Sequence, residues 1–234
     1  MKKYSIRSLN CLTAGLIVKQ ADTNVVIGFF DKKARFIFIL LFSLITIISQ
    51  ADDVNVIDFG ADPDGEILST KAIQKAIDHS ARTGGGTVTV PVGSYLTKTV
   101  FLKSNVNLCI KKGATLLGDS NPEGFTHAIV YADNIQDAAI TGQGTIDGQG
   151  RHYATTKDVD WRLAKIKPIP GISRHNNIRL FRCKNMRVKN VTLVNSTVWT
   201  LRILQCDGVI VEGVRIYAFS NENNDGINID GKNI

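Results

Sequence analysis

The sequence predicts an all-β fold, a right-handed parallel β-helix whose N-terminal end is covered by one amphipathic helix. Three observations predict it. A single helical pattern occurs early in the 234 residues, and after it short Val, Ile, Leu and Thr runs alternate with Gly, Asn and Asp. A shift of 23 residues superposes two segments near the C-terminus. The apolar positions of these two copies match while the positions between them vary, which is typical of stacked repeats.

The basic charge of the chain is concentrated in its first 51 residues. Residues 1–51 carry seven basic and two acidic side chains, or +5 of the formal net charge of +7, and the other residues carry +2. A nucleic-acid-binding domain needs a clustered basic face, so this distribution predicts no nucleic-acid partner. The composition, 44% hydrophobic and 21% charged, excludes a disordered chain.

Residues 36–48 form an uncharged apolar run of 13 residues, directly after Lys32, Lys33 and Arg35. A membrane-spanning helix needs about 20 apolar residues, so the run has the length of a signal-peptide core rather than of an anchor. Ser49 and Ala51 supply the small residues that predict cleavage after Ala51. We therefore predict a leader at 1–51, a β-helix at 52–234, and a secreted or periplasmic protein with no stable membrane anchor. A short membrane anchor and a buried apolar segment are the alternatives.

The first elements after the leader are a strand and a helix. Val54–Gly60 alternates like a strand, and Thr70–Arg82 carries apolar residues at helical spacing, with Ser69 or Thr70 as the cap. The helix is expected to end at Gly84–Gly86. These glycines precede a strand instead of following one, which is the reverse of the order in a phosphate-binding loop. The sequence therefore predicts no nucleotide site there.

From this point the chain is predicted to consist of short strands. We place them at Val106–Ile110, Ala114–Leu117, Ile140, Thr145–Ile146, Met186–Val194 and Val209–Tyr217. The repeat superposes Leu180–Val194 on Ile203–Tyr217, and parallel stacking would set equivalent residues about 4.8 Å apart. A β-sandwich or a leucine-rich repeat fits the pattern less well. Left-handed corners of the coils are predicted at Asn185, Asn190, Gly208 and Gly213.

Two cysteines, Cys183 and Cys206, fall at equivalent positions of the repeat. They could lie within disulfide range, but we interpret them as small apolar side chains stacked in the core. Cys11 belongs to the leader, so the β-helix holds an odd number of cysteines and no complete disulfide framework is predicted.

Several stretches resemble the pectin-degrading polygalacturonases of glycoside hydrolase family 28. Its entry strand, helix and first coils are similar to Val56–Ala61, Thr70–Asp78, Gly84–Tyr95, Phe101–Val106, Gly113–Gly118 and Ile140–Gly150. Two later stretches are more specific. Asn195–Leu201 resembles the family's Asn-Ser-Pro-x-Trp-Thr-Leu, with Thr197 in place of Pro. Asn223–Asp230 resembles the coil that contains Asn-Thr-Asp-Gly, with Asn224 in place of Thr.

The resemblance implies an activity and two site residues. It assigns Asp225 as an active-site carboxylate that helps to activate the hydrolytic water, and Asn223 as a residue of the sugar-binding cleft. It implies hydrolysis of α-1,4-galacturonosyl bonds of a pectic polysaccharide or oligogalacturonide by an inverting, two-carboxylate mechanism without a cofactor or metal. Alone, Asn-Asp-Gly is also a common turn sequence.

The sequence departs from the family pattern near its end. The family's Gly-Asp-Asp, Gly-His-Gly and Arg-x-Lys motifs do not occur up to Ile234. We therefore expect a C-terminally truncated, inactive fragment without its general acid and without the basic residues that would hold a uronate carboxylate. Asp147 is predicted in a structural turn and Asp230 on the strand after the site. The histidines His127, His152 and His175 show no metal-ligand spacing.

Other functions stay open from the sequence. One is a non-catalytic carbohydrate-binding or scaffolding β-helix, and another is a related rhamnogalacturonan hydrolase or pectic lyase on the same fold. Trp161 and Trp199 are candidate sugar platforms, although packing is the commoner role of a single Trp.

Overall fold

The computed structural model describes residues 53–154 and 168–234, except Glu222. The described residues form a right-handed parallel β-helix with one α-helix, α1 (Thr70–Arg82), and short 3-10 helices at Val56–Phe59 and Gly150–Tyr153. The predicted leader, its apolar run at 36–48 and the cleavage after Ala51 lie outside the described residues. None of the described helices is long and apolar enough to cross a membrane.

Fifteen strands are found in the described part of the chain. They are β1 (Val54–Asn55), β2 (Gly86–Val90), β3 (Gly93–Thr97), β4 (Val100–Phe101), β5 (Val106–Ile110), β6 (Ala114–Gly118), β7 (Ala128–Asp133), β8 (Ala139–Gly142), β9 (Thr145–Asp147), β10 (Asn176–Phe181), β11 (Lys184–Lys189), β12 (Thr192–Val194), β13 (Leu201–Glu212), β14 (Arg215–Tyr217) and β15 (Ile227–Lys232).

The strands line three faces, and every strand pair is parallel. The first face contains β4, β7, β10, the first half of β13 and β15. The second contains β1, β2, β5, β8, β11 and the second half of β13. The third contains β3, β6, β9, β12 and β14. Side chains that point inward from all three faces form one apolar core.

The predicted 23-residue repeat is confirmed by the strand register. Paired residues on neighbouring coils are Leu180 and Ile203, Phe181 and Leu204, Met186 and Val209, Val188 and Val211, and Leu193 and Ile216. Each inward residue therefore packs on its equivalent in the next coil. The single predicted strand Met186–Val194 is two strands, because the chain turns at Asn190, where φ is 62°.

The helix prediction is confirmed and the first strand prediction is partly wrong. Helix α1 buries Ala72, Ile73, Ala76 and Ile77 against the first coils. Ser69 occupies the cap position without a capping hydrogen bond, because its hydroxyl accepts a hydrogen bond from the Asp62 amide at 2.8 Å. Strand β1 ends at Asn55. Its side-chain oxygen accepts from the Ile57 amide at 3.0 Å and turns the chain into a 3-10 helix.

The four predicted left-handed corners are confirmed. The φ angles are 51° at Asn185, 62° at Asn190, 73° at Gly208 and 64° at Gly213. Arg182 and Gln205 are also left-handed, each with φ of 53°. Because these two residue types carry no preference for that region, the sequence did not indicate them.

The three cysteines among the described residues, Cys109, Cys183 and Cys206, are free thiols, in agreement with the packing interpretation. Cys183 and Cys206 are buried in the core on adjacent coils. The amide of Cys183 donates to the sulfur of Cys206 at 3.4 Å.

Candidate functional site

The structure joins the two motifs that carry the family resemblance. The amide of Thr200 donates a hydrogen bond to the carbonyl of Asp225 at 2.9 Å, and that of Leu201 donates to Gly226 at 3.0 Å. The Trp-Thr-Leu segment and the Asn-Asp-Gly segment are therefore neighbouring coils of the first face. Asp225 is exposed where this second segment enters β15. A carboxylate in this position is accessible to a ligand that lies along the first face.

The loop before Asp225 is held by buried polar contacts. Ser220 donates from its hydroxyl to the Ser196 carbonyl at 3.1 Å, and Asn221 donates from Nδ2 to the Gly150 carbonyl at 3.1 Å. Asn223 is exposed and left-handed, with φ of 58°. These contacts fix the turn that presents both residues assigned from the sequence, so Asn223 and Asp225 project from an anchored segment.

Thr197, which replaces the usual Pro, has its own structural role. Its hydroxyl accepts a hydrogen bond from the His175 amide at 2.6 Å and donates one to the His175 carbonyl at 2.7 Å. Both residues are buried. The side chain therefore clamps two coils directly below the Trp199 segment.

His175 is a packing residue rather than a metal ligand. Its ring stacks on Phe125, with centroids 3.9 Å apart, and meets Tyr153 edge-on at 5.2 Å. Burial lowers the pKa of His175 to about 4, so the imidazole is neutral near pH 7. Among residues 53–154 and 168–234 without Glu222, we find no group of three or more acidic, Cys or His side chains that could hold a metal.

The other acidic candidates are placed as the sequence predicted. Asp147 accepts hydrogen bonds from the Gln149 amide at 2.8 Å and from Nδ2 of Asn195 at 3.1 Å, so it stabilises a turn. Asp230 lies on β15, after the Asp225 turn. Trp161 is outside the described residues.

An outward column of the first face was not predicted from the sequence. Tyr131 on β7, Arg179 on β10, Arg202 on β13 and Asn228 on β15 are paired in successive registers. Arg179 and Arg202 are separated by the same 23 residues as the repeat, which was the available signal. The family's Arg-x-Lys motif does not occur up to Ile234, but the fold brings two other basic residues, Arg179 and Arg202, together on the first face.

Each arginine of this pair lies near aromatic rings. The Arg202 guanidinium is 4.1 Å from the centre of the Trp199 ring. The Arg179 guanidinium is 5.9 Å from the Tyr131 ring and 5.7 Å from the Phe181 ring. Cation–π contacts of this kind restrain a guanidinium while leaving its N–H groups available.

The pair lacks the carboxylate partner that a neighbouring arginine has. Arg182 binds Asp133 through Nη2 at 2.6 Å and Nε at 3.1 Å. By contrast, the Nε atoms of Arg179 and Arg202 are shielded from solvent and have no hydrogen-bond acceptor among the described residues. Burial, and then the charge of Arg179, lower the pKa of Arg202. The column is thus a region of uncompensated positive charge.

His127 lies beside this column. Its ring is edge-on to Tyr131, with centroids 5.3 Å apart. Partial burial and then the charges of Arg179 and Arg202 lower its pKa, although Asp133 opposes the shift. A neutral imidazole can both donate and accept a hydrogen bond, which suits it to contact a sugar hydroxyl.

A separate concavity lies on the second face. This second-face groove encloses about 940 Å³, and its lining includes Asn105, Asn107, Asn185, Arg187, Ile210 and Asn233. It contains neither Asn223 nor Asp225. This second-face groove and the residues with recognisable chemistry are therefore on different faces.

Comparison with known proteins identifies the family. The sequence profile of glycosyl hydrolases family 28 matches residues 82–233. A Vitis vinifera protein named "Probable polygalacturonase" is 29% identical over 226 residues, which cover 85% of this chain and 43% of the grape protein. The solved hyperthermoactive exopolygalacturonase from Thermotoga maritima aligns with a TM-score of 0.64 and 26% identity, covering 75% of this chain and 49% of that one.

A third similarity is to a protein of another kind. The plasmin and fibronectin-binding protein A of Streptococcus pneumoniae is 32% identical over 158 residues, which cover 61% of this chain and 21% of that protein. The chain thus spans less than half the length of each of these curated relatives. Because the family profile covers most of the described β-helix, the chain belongs to glycosyl hydrolases family 28.

Proposed function

We propose that the protein is a polygalacturonase-type glycoside hydrolase that cleaves α-1,4-galacturonosyl bonds of pectic polysaccharide. One observation carries the proposal: the hydrogen bond between Thr200 and Asp225, which sets the two specific family motifs side by side on the first face. The names of the grape and Thermotoga relatives support the same substrate. Asn223, on the same anchored turn, is proposed to bind the sugar.

Asp225 would act as a base in an inverting reaction. In such a reaction one carboxylate removes a proton from water as the water attacks the anomeric carbon, and a carboxylic acid on the opposite side protonates the leaving oxygen. The two groups stand roughly 6.5–9.5 Å apart to admit the water. Exposed Asp225 can reach such a water without displacing core residues.

The second carboxyl group of this mechanism is proposed to come from further coils. The family's Gly-Asp-Asp motif follows the Asn-Thr-Asp-Gly coil, and this chain spans 43% of its grape relative. We therefore propose that the 234 residues form the N-terminal portion of the complete catalytic β-helix, and that the whole protein is exported.

Reducing-end release from polygalacturonate tests the proposal. We would compare this chain with the same chain extended by the C-terminal coils of a family relative. The extended protein is expected to be active, and Asp225→Asn to lower its rate by about 10²–10⁴-fold. Asp147→Asn is the matched control, because Asp147 stabilises a turn and is expected to leave most activity. An active Asp225→Asn variant would contradict the assigned role.

A second candidate function is a non-catalytic binding β-helix. The similarity to the pneumococcal plasmin and fibronectin-binding protein favours it, because that protein is named for binding rather than for hydrolysis. If it is correct, the extended protein would retain oligogalacturonide or protein binding, and Asp225→Asn would change neither binding nor any hydrolysis.

A further inference from the structure

We propose that Arg179 and Arg202 form a binding site for the carboxylate of a uronic acid unit in the bound polysaccharide. The inference rests on the proposed function, because it names the chemistry that the same face would recognise. It adds a binding site for the substrate carboxylate to the residues already assigned, Asp225 and Asn223. Neither Asp225 nor Asn223 is positively charged, and so neither can pair with a substrate carboxylate.

The register is the first argument for the site. Arg179 and Arg202 are directly paired on β10 and β13, and adjacent strands lie about 4.8 Å apart. Inward neighbours on both strands are buried, so both arginines must project outward. A carboxylate presents two oxygens and can accept hydrogen bonds from both guanidinium groups at this spacing.

The missing acceptors are the second argument. A buried donor without an acceptor is unfavourable, and two like charges on adjacent strands repel each other. Both penalties apply to Arg179 and Arg202. Their Nε atoms have no acceptor among the described residues, and the charge of Arg179 contributes to lowering the pKa of Arg202. By contrast, Arg182, three residues after Arg179, donates hydrogen bonds to the carboxylate of Asp133, which also balances its charge. An anion bound between Arg179 and Arg202 would offset the repulsion between their two charges.

The surroundings are the third argument, because they are those of a sugar site. The partly exposed Trp199 ring lies beside Arg202, and the buried Tyr131 ring packs near Arg179 and restrains its guanidinium. His127 adds a neutral group that can contact a hydroxyl. A site for inorganic anions would not need these rings, whereas a charged sugar has both a carboxylate and an apolar ring face.

The position of the pair relative to Asp225 defines which unit it binds. Thr200, which bonds to Asp225, precedes Arg202 by two residues, or about 7 Å along an extended strand. This separation exceeds contact distance. The arginines would therefore hold the carboxylate of a sugar next to the one attacked and would select for unesterified polymer.

Isothermal titration of the 234-residue chain tests the inference. The probes are trigalacturonate, its methyl ester and an oligoglucuronate of similar length. We expect Arg179→Gln and Arg202→Gln each to weaken binding of the charged galacturonide at least about tenfold, since a hydrogen bond to a charged group contributes about 1.5–3 kcal/mol. Arg215→Gln, exposed on the third face, is the control and should have no effect. The methyl ester should bind weakly to every form.

The outcomes separate the site from the proposed function. If both arginine variants bind trigalacturonate as the unchanged chain does, the carboxylate site is wrong and the pectic substrate stands. If the chain prefers oligoglucuronate and the arginine variants abolish that binding, the site stands and the pectic substrate is wrong. If no uronate binds to well-folded protein, judged by circular dichroism, the site is overturned. Arg202→Lys should bind with intermediate affinity, because it keeps the charge and loses the planar fork.

Discussion

Arg179 and Arg202 are paired residues on adjacent parallel strands, and neither has an acidic partner within the described part of the chain. Fold stability alone gives no reason to place two arginines in one outward column. The pair therefore carries two positive charges that no acidic side chain of the described residues neutralises in the free protein. Uncompensated groups of this kind are typical of functional sites.

Removal of the Thr197 hydroxyl should destabilise the coils below the site. Thr197→Val removes two buried hydrogen bonds. The backbone amide and carbonyl of His175 would then lack these partners. We expect the free energy of unfolding to fall by about 1–3 kcal/mol. Urea denaturation would measure this, with Thr197→Ser as the control that keeps the hydroxyl. A loss in Thr197→Val no larger than in Thr197→Ser would contradict the clamp.

Burial of His175 should make stability depend on pH. Its folded pKa of about 4 lies below the ordinary value of 6.5, so the unfolded chain binds a proton that the folded chain excludes between these values. The free energy of unfolding should therefore be unaffected by this group above pH 6.5 and fall below it. The total loss by pH 4 is up to about 3 kcal/mol.

The His175→Phe variant isolates this effect, because a Phe ring can occupy the same place between Phe125 and Tyr153. Urea denaturation at pH 7.5 and at pH 4.5 would compare the two proteins. The variant should lose less stability than the unchanged chain on acidification. Equal losses would show that His175 does not resist protonation in the fold.

Two glycines with positive φ should differ in their tolerance of alanine. At Gly142, where φ is 111°, an added Cβ would lie 1.9 Å from the Ile110 carbonyl oxygen, whereas at Gly60, where φ is 89°, it would meet no atom within 4 Å. Both substitutions place a side chain at a positive φ, which lowers the free energy of unfolding by about 1–2 kcal/mol. Gly142→Ala should be clearly the more destabilising in thermal melts, and similar melting temperatures would contradict the close approach of these coils.

Export remains a prediction from the leader sequence. Secreted protein should begin at Asp52 or a near neighbour, because Ser49 and Ala51 provide the small residues at a signal-peptidase site. N-terminal sequencing of the secreted material would measure this. Intracellular protein that retains Met1 would contradict it.

The sequence predicted the parts of the fold that residue type determines. The stacked repeat follows from its matched apolar positions, and the corners at Asn190 and Gly213 follow from residues that tolerate left-handed φ. The corner at Gln205 could not be predicted, because glutamine carries no preference for left-handed φ; it lies where the register with β15 shifts between Leu204 and Cys206. Val54–Gly60 alternates like a strand, but a local hydrogen bond from the Ile57 amide to the Asn55 side-chain oxygen overrides the pattern.

The candidate site, like the fold, could be predicted only in part from the sequence. The turn that carries Asn223 and Asp225 was located from its motif, and the structure places that motif beside Thr200. The arginine pair was overlooked because the outward positions of the repeat vary elsewhere. The 23-residue spacing makes Arg179 and Arg202 equivalent in the sequence, and the register shows that they lie side by side.

Mapping a bound oligogalacturonide by amide chemical shifts tests the central claim most directly. The claim is that the first face, from Arg179 to Asp225, is the polysaccharide-binding surface of this family 28 protein. Titration of trigalacturonate into ¹⁵N-labelled chain should shift the amides of Trp199–Arg202 and Asp225–Asn228 most strongly. The largest shifts at Asn185–Arg187 and Ile210, in the second-face groove, would contradict the claim.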